Sequence, residues 1–157
     1  MNIFVLDECP INAAINQVDK HVVKMTLETA QLLSTCHRVL ESSVSEEVYR
    51  KTHANHPCSV WLRQSRQNYE WLYSHFRALL DEYSFRYGKP HKCGNYLELL
   101  SMCPVEEDCG LTPFALAMPD EYKRECPVES YIAYYLGEKN YMFKWTKRTP
   151  PDWAIKA

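Results

Sequence analysis

The sequence predicts an all-α protein, and two features of its pattern and one of its composition lead to that fold class. Apolar residues recur at helical spacing along two long segments, Asp19 to about Glu41 and His56–Gly88. Only 4 glycines occur in 157 residues, which disfavours an all-β sandwich and a glycine-rich phosphate loop. No repeat, low-complexity segment or linker divides the chain, so we expect residues 1–157 to form a single compact helical domain. A chain of this length buries about 70% of the surface that it exposes when unfolded.

The N-terminal elements are predicted from capping residues and apolar runs. Ile3–Leu6 is a short apolar opening that predicts a strand or an extended segment packed on the core. Asp7 is placed to cap a short helix that extends through Val18. Asp19 is the candidate cap of the first long helix, and the polar stretch Ser42–His53 predicts a loop or a short helix.

The second half of the chain combines one long helical pattern with shorter elements. In His56–Gly88, Pro57 suits a first helical position, a break is expected near Ser65, and Gly88 ends the pattern. The elements that follow are predicted to be a short helix in NYLELLSM, an ordered surface loop over Cys103–Lys123, and a further helix from Pro127 to about Lys147.

Composition and the N-terminus bear on location and partners. The formal net charge is −2, so no overall basic excess marks a nucleic-acid binder, although a local basic patch is sufficient for binding. The first residues contain neither the basic region nor the long apolar run of a secretory signal. The number of cysteines, 7, is odd, so they do not all form pairs within the chain. We therefore expect an intracellular protein with reduced thiols, located in the cytoplasm, including that of an infected host cell. No segment approaches the ~18 consecutive apolar residues of a membrane span, so we expect no membrane association. We also expect the protein to be a monomer.

A group of histidine and cysteine residues raises the question of a zinc site. Its members lack any CxxC pair, whereas structural zinc sites usually contain closely paired ligands. We therefore predict no metal site and no cofactor, and we expect the thiols to be buried. The group consists of His91, Cys93, Cys103, Cys109 and Cys126.

The segment DKHVVKMTLETAQLLSTCHR places six polar residues on one stripe of a helix that is otherwise rich in apolar residues. In a cleft, Glu28 is able to act as a general base or to stabilise a developing cation, with His21 holding it or shuttling a proton. A desolvated Lys24 is a possible amine nucleophile. The alternative is an ordinary Lys24–Glu28 ion pair on a solvated face, worth about 0.2–0.5 kcal/mol. The stripe consists of His21, Lys24, Glu28, Gln31, Thr35 and Arg38.

His56 precedes the second long helix, where free N–H groups and the helix dipole favour a phosphate. The alternative is that His56 simply caps this helix. Several basic residues are able to form a phosphate-contacting surface, with Arg63 and Arg66 nearest to His56 in the sequence.

DKHVVKMTLE resembles the core signature of the phage-type pyrimidine-dimer DNA glycosylases, in which an Asp-x-His pair precedes a catalytic glutamate seven residues after the histidine. Asp19, His21 and Glu28 have this spacing. HPCSVWLRQSRQNYEWLY and PPDWAIKA are similar to two further segments of the family. The resemblance implies a small all-helical base-excision enzyme that binds duplex DNA with a flipped nucleotide.

The resemblance also implies a mechanism, in which an N-terminal α-amine attacks the sugar C1′ and a Schiff base leads to β-elimination. Glu28 then stabilises the cationic sugar and assists proton transfer, with His21 as its neighbour. This chain begins Met1-Asn2, where the family exposes a small residue, so the nucleophile is the amine of Met1 or of Asn2, or Lys20 or Lys24 replaces it. The residues expected to bind the DNA are Asp19, Lys20, Gln31, Arg38, His56, Arg63 and Arg66.

Two other functions fit the same residues. One is an amine-using transferase or lyase that acts on modified DNA bases or nucleotides and keeps Glu28 with a lysine. The other is a non-enzymatic helical protein that binds nucleic acid or protein through the polar stripe.

Overall fold

A computed structural model describes residues 1–155, and this part of the chain forms helices and turns without a β-strand. The prediction of an all-α fold is confirmed. Shorter 3-10 helices span Lys92–Tyr96, Asp120–Tyr122 and Asn140–Met142, and a π-helix spans Tyr135–Lys139. The α-helices of the described chain are α1 (Pro10–Ile15), α2 (Asp19–Val39), α3 (Pro57–Leu62), α4 (Arg66–Tyr87), α5 (Leu97–Leu100), α6 (Pro127–Tyr134) and α7 (Asp152–Ile155).

The two long helices form the centre of the fold, because α1 and α2 both pack against α4. Apolar side chains at helical spacing on both helices are fully buried, such as Leu33 on α2 and Phe76 on α4. The expected break near Ser65 is confirmed: the Ser65 hydroxyl accepts a hydrogen bond from Asn68 N (3.1 Å) and starts α4. Gly88 ends α4 in the left-handed conformation, with φ +70°, as predicted.

The predicted capping roles of the two N-terminal aspartates are wrong. Asp7 accepts a hydrogen bond from Cys9 N (2.8 Å), which forms a turn before α1, and Cys9 is the cap position. The N-cap of α2 is Val18, and Asp19 is the first helical residue. Of the two alternatives predicted for Ile3–Leu6, the strand is absent: the segment is buried in the core, and its backbone is irregular with a left-handed bend at Phe4.

The carboxylate of Asp19 belongs to a buried ionic network at the start of α2. Asp19 accepts hydrogen bonds from Arg86 Nη1 (3.0 Å) and from the backbone N–H (2.9 Å) and hydroxyl (2.5 Å) of Thr146. Arg86 also donates to Glu82 (2.7 Å), and Glu82 accepts two hydrogen bonds from Arg148. This network ties α2, α4 and the C-terminal segment together.

The helix predicted from Pro127 to about Lys147 is wrong in its second half. The regular α-helix ends at Tyr134 and continues as the π-helix and a 3-10 turn. The Tyr122 ring lies so close to Gly137 that a Cβ there would overlap it, so contact with another part of the chain shapes this segment. The loop Cys103–Lys123 has the predicted irregular backbone, apart from the short 3-10 helix at its end.

Three further observations concern membrane spans, the cysteines and the C-terminal motif. None of the described helices is long and apolar enough to cross a membrane. All 7 cysteines are free thiols, and 3 of them, Cys36, Cys58 and Cys93, are buried. The last two residues of the motif PPDWAIKA lie outside the described residues, whereas Trp153 of the same motif packs edge-on against Tyr135.

Candidate active site

The N-terminal amine lies beside Glu28 on α2. The Met1 nitrogen is 3.3 Å from Glu28 Oε1, and Lys24 Nζ is 3.8 Å from Oε2. The Met1 side chain is 3% exposed and the Glu28 side chain 12%, whereas the Lys24 side chain is 71% exposed. The amine and the carboxylate therefore meet at the edge of the core, and Lys24 approaches them from the solvent.

The first residues of the chain are held in the position that brings the amine to Glu28. The Asn2 side chain donates to Ala117 O (2.7 Å) and accepts from the backbone N–H groups of Ile3 (2.7 Å) and Phe4 (3.3 Å). Phe4 has φ +60°, a left-handed conformation that is rare for a bulky residue and costs about 1–3 kcal/mol. Its ring stacks on His21 with the centroids 4.3 Å apart. The hydrogen bonds to the Asn2 side chain and the stacking of Phe4 on His21 therefore both hold this bend in the backbone.

The His21 side chain packs against the N-terminal segment through the ring of Phe4. It precedes Glu28 by seven residues, so the helix rise separates the two by about 10 Å. Its Nδ1 is bonded to Tyr135 Oη (2.6 Å), and this hydroxyl also accepts from Val18 N (3.4 Å). Burial, with smaller contributions from the charges of Lys139 and Lys24, lowers the pKa of His21 to about 3. The imidazole is therefore neutral at physiological pH and shares a hydrogen bond with the Tyr135 hydroxyl.

The start of α3 contributes His56 and Cys58 to the same region. His56 Nδ1 accepts a hydrogen bond from Cys58 N (3.1 Å), so this side chain caps the helix. Burial lowers the pKa of His56, the N-terminal ammonium and His53 lower it further, and the Glu28 carboxylate opposes them. Burial raises the pKa of the Cys58 thiol to about 12, against the N-terminal ammonium and a hydrogen bond with Tyr131. Both residues are therefore within electrostatic range of the amine, and the thiol stays protonated.

Arg38 and Arg63 form hydrogen bonds with the backbone of the segment that precedes His56. Arg38 donates to Tyr49 O (3.1 Å) and Val48 O (2.8 Å). Arg63 donates to Ala54 O (2.9 Å) and to the Ser59 hydroxyl (3.0 Å). Their guanidinium groups are thus engaged by the protein itself, which leaves them little freedom to bind DNA.

The other predicted DNA-binding residues are spread over different surroundings. Lys20 is exposed, and Arg66 is partly exposed with its nearest acidic partner, Glu70, at 3.9 Å. Gln31 is half-buried and borders a surface pocket next to Glu28. Asp19 faces the buried ionic network, which gives its carboxylate a structural use.

Residues far along the chain complete the site, and sequence reasoning missed them. Tyr131 on α6 donates to Ala115 O (2.7 Å) and accepts from Ala117 N (3.3 Å), which fixes the loop segment bound by Asn2. The tyrosines in PVESYIAYYLG are the one sequence signal that pointed to this helix. No spacing rule connects residues that lie more than a hundred positions apart.

A family model described as pyrimidine dimer DNA glycosylase matches residues 1–94, more than half of the chain. The protein belongs to this family. The matched range contains the N-terminal amine, Glu28, His21 and His56, whereas Ala117, Tyr131 and Tyr135 lie beyond it. A search of curated proteins found no match, and a search of solved structures found none either. Family membership makes DNA the substrate and a pyrimidine-dimer-glycosylase-like function the general activity.

Proposed function

We propose that this protein excises pyrimidine-dimer bases from DNA and cleaves the strand as an AP lyase, with the amine of Met1 as nucleophile and Glu28 as the catalytic carboxylate. The observation that carries the proposal is the 3.3 Å distance between the Met1 nitrogen and Glu28 Oε1, in a chain of the pyrimidine dimer DNA glycosylase family. The pair brings together a nucleophile and a group that stabilises positive charge.

The proposed chemistry needs only groups that the chain and the DNA supply. The neutral amine forms a bond to the sugar C1′, the bond to the base breaks, and the base departs with the bonding electrons and gains a proton. The nitrogen passes a proton to Glu28, the C1′–O4′ bond breaks, O4′ takes the proton from Glu28, and a protonated Schiff base results. Loss of a proton from C2′ then expels the 3′ phosphate by β-elimination. Glu28 stabilises the positive charge at C1′ and nitrogen and accepts protons in these steps.

Several observations favour the Met1 amine over the amine that removal of Met1 would expose. The Met1 side chain is 3% exposed and packs against the core, so its removal would leave a cavity. The Asn2 side chain is hydrogen-bonded to Ala117 O and to the backbone N–H of Ile3, so these contacts restrict any movement of Asn2 toward Glu28. Consecutive Cα atoms are about 3.8 Å apart, so an amine on Asn2 would start from a different position from the one that Met1 N occupies beside Glu28.

The lysines are less suitable nucleophiles. Lys24 is 71% exposed and Lys20 is exposed, so neither side chain is desolvated. In model peptides a lysine amine keeps its proton to a pH about two to three units above that of an α-amine. We expect Lys24 to contact the DNA backbone beside the reacting sugar, as a cation on the rim of the site.

The proposal requires the target nucleotide to leave the duplex. Met1 and Glu28 are largely buried, and a C1′ atom within a stacked duplex is not able to approach them. One chain supplies the amine, the carboxylate and the residues that position them, so we expect the enzyme to act as a monomer.

Borohydride trapping on dimer-containing and abasic duplexes tests the proposal. The intact mass of the free protein gives its N-terminal residue, and peptide mapping of the reduced adduct locates the bond. We expect Met1 to be retained and the sugar fragment to be attached to its nitrogen. Lys20→Ala and Lys24→Ala variants serve as controls and should still form the adduct.

Two outcomes contradict the proposal in different ways. An adduct on Lys24 would favour the amine-using lyase or transferase instead. The absence of an adduct on both DNA substrates, with DNA binding intact, would favour a protein that binds DNA without Schiff-base chemistry.

A further inference from the structure

A surface pocket of about 520 Å³ is lined in part by α2 residues that follow Glu28 on the same helix. Gln31 forms the end nearest to Glu28, one helical turn further along α2, which corresponds to a rise of about 4.5 Å. Arg38 marks the far end, where the rise from Glu28 is about 15 Å. We call this cavity the α2 pocket; the residues that matter below are Gln31, Tyr49, Arg50, Lys51, Thr52 and Tyr96.

The wall of the α2 pocket opposite the helix is held rigidly. The Thr35 hydroxyl on α2 accepts from Thr52 N and donates to Thr52 O, both at 3.1 Å. Arg38 donates to the carbonyl groups of Val48 and Tyr49. These four hydrogen bonds fix the backbone on both sides of Arg50 and Lys51, so the pocket exists before any ligand arrives.

The side chains that line the α2 pocket match the parts of a nucleotide. Arg50 and Lys51 are exposed, and among the described residues neither forms an ion pair, so both cations are free to bind phosphate. The rings of Tyr49 and Tyr96 lie 4.4 Å apart at an angle of 31°, and both side chains are half-buried. Such rings stack on unpaired bases of any sequence.

We propose that the α2 pocket binds the nucleotide that flanks the reacting one on the same DNA strand. Its phosphate lies between Arg50 and Lys51, and its base lies against Tyr49 and Tyr96, with the Gln31 amide at the base edge. The pocket residues on α2 begin about 4.5 Å beyond Glu28 along the helix axis, and one nucleotide step along a strand is at least about 3.4 Å, so the pocket begins within one or two nucleotide steps of a sugar held at Glu28. The inference rests on the proposed function for the position of that sugar.

The phosphate part is tested by DNA binding as a function of salt. Binding is measured by fluorescence anisotropy in a Glu28→Gln background, so that turnover does not consume the duplex. We expect Arg50→Ala/Lys51→Ala to weaken binding about tenfold and to lower the salt slope by about one, since one neutralised phosphate contributes about 0.9. Lys89→Ala/Lys144→Ala removes the same charge from exposed sites outside the pocket and should leave the slope unchanged. Equal behaviour of the two double variants would overturn the phosphate assignment.

The base part is tested by combining protein variants with altered DNA. Tyr49→Leu should weaken binding by about five- to 150-fold, the range measured for loss of one base stack, whereas Tyr49→Phe keeps the ring and should bind normally. On a duplex in which the lesion is a single abasic site and the base next to it is also missing, on its 5′ or its 3′ side, Tyr49→Leu should cause no further loss. Tyr96→Leu provides a second variant if Tyr49→Leu unfolds, which thermal melting will reveal. An identical loss with and without the flanking base would refute the stacking contact.

These measurements separate the pocket from the chemistry. If borohydride traps no adduct but the pocket variants lose DNA binding as described, the α2 pocket stands and the proposed function fails. If the adduct forms at Met1 and the pocket variants bind like wild type, only the pocket assignment fails.

Discussion

Glu28→Gln isolates the charge of the proposed catalytic carboxylate. Glutamine has nearly the same shape, so the packing of α2 should not change, whereas the negative charge beside the Met1 amine is lost. Glu28 Oε2 is buried and makes no hydrogen bond with the described residues, so the contact that the substitution removes is the ion pair between Oε1 and the Met1 amine. We therefore expect a folded protein with a somewhat lower melting temperature, because the Met1 amine loses its counter-charge, together with a much larger loss of activity.

The size of that loss follows from the geometry of the pair. The Met1 nitrogen is 3.3 Å from Glu28 Oε1, and a C1′ atom bonded to this nitrogen would lie about 4 Å from the same oxygen. Two unit charges at this distance interact by about 4 kcal/mol at an effective dielectric constant of about 20. A loss of 4 kcal/mol of transition-state stabilisation lowers the rate about a thousandfold.

Single-turnover kinetics on an oligonucleotide with one site-specific dimer provides the assay, with base release and strand cleavage followed separately. Glu70→Gln is the matched control, because Glu70 also lies four residues from a cation on a long helix but is 56% exposed. The control should react at the wild-type rate. A Glu28→Gln rate within about tenfold of wild type, on folded protein, would refute the catalytic role of this carboxylate.

Three further predictions concern the groups around the site. Arg86→Met leaves the carboxylates of Asp19 and Glu82 under-compensated in the interior and should lower the free energy of unfolding in urea by about 3–5 kcal/mol; a change below about 1 kcal/mol would contradict the network. Burial raises the pKa of Asp19, but its hydrogen bonds from Thr146 and the Arg86 guanidinium outweigh burial and lower that pKa below 3.8. The destabilisation caused by Asp19→Asn should therefore be complete above about pH 5 and shrink as the pH falls through the lowered pKa, in urea titrations from pH 3 to 7. In native protein at pH 8, a thiol reagent should modify exposed Cys109 quickly and leave Cys58, whose buried thiol has a pKa of about 12, unmodified until the protein unfolds.

The sequence predicts those parts of the fold that depend on neighbouring residues. The apolar spacing of α2, the capping hydroxyl of Ser65 and the left-handed Gly88 are local signals, and the structure follows each of them. The helix after Pro127 was predicted too long, because the shape around Gly137 is set by Tyr122, which belongs to another segment. Local signals do not contain that contact.

The same limit applies to the candidate site. The spacing of His21, Lys24 and Glu28 predicts one helical face, but spacing alone fitted an ordinary ion pair as well, and the family resemblance was needed to favour a site there. The position of the Met1 amine depends on the hydrogen bond from Asn2 to Ala117, two residues separated by 115 positions. Only the folded chain shows that His21 supports Phe4 and Tyr135, about two turns away from the carboxylate.

Most polar residues of the stripe on α2 have a partner in the elements that cover the helix, and Glu28 is the exception. Thr35 and Arg38 hold the backbone of the loop over the helix, and Gln31 borders the α2 pocket. Glu28 has one buried oxygen without a hydrogen bond and the other beside the chain's own amine, with solvated Lys24 at the rim. A buried carboxylate that the fold leaves unsatisfied costs stability, and such groups call for an explanation outside the fold. Changes at Thr35 or Arg38 should therefore weaken the fold and the pocket together, whereas a change at Glu28 should affect the chemistry far more than the fold.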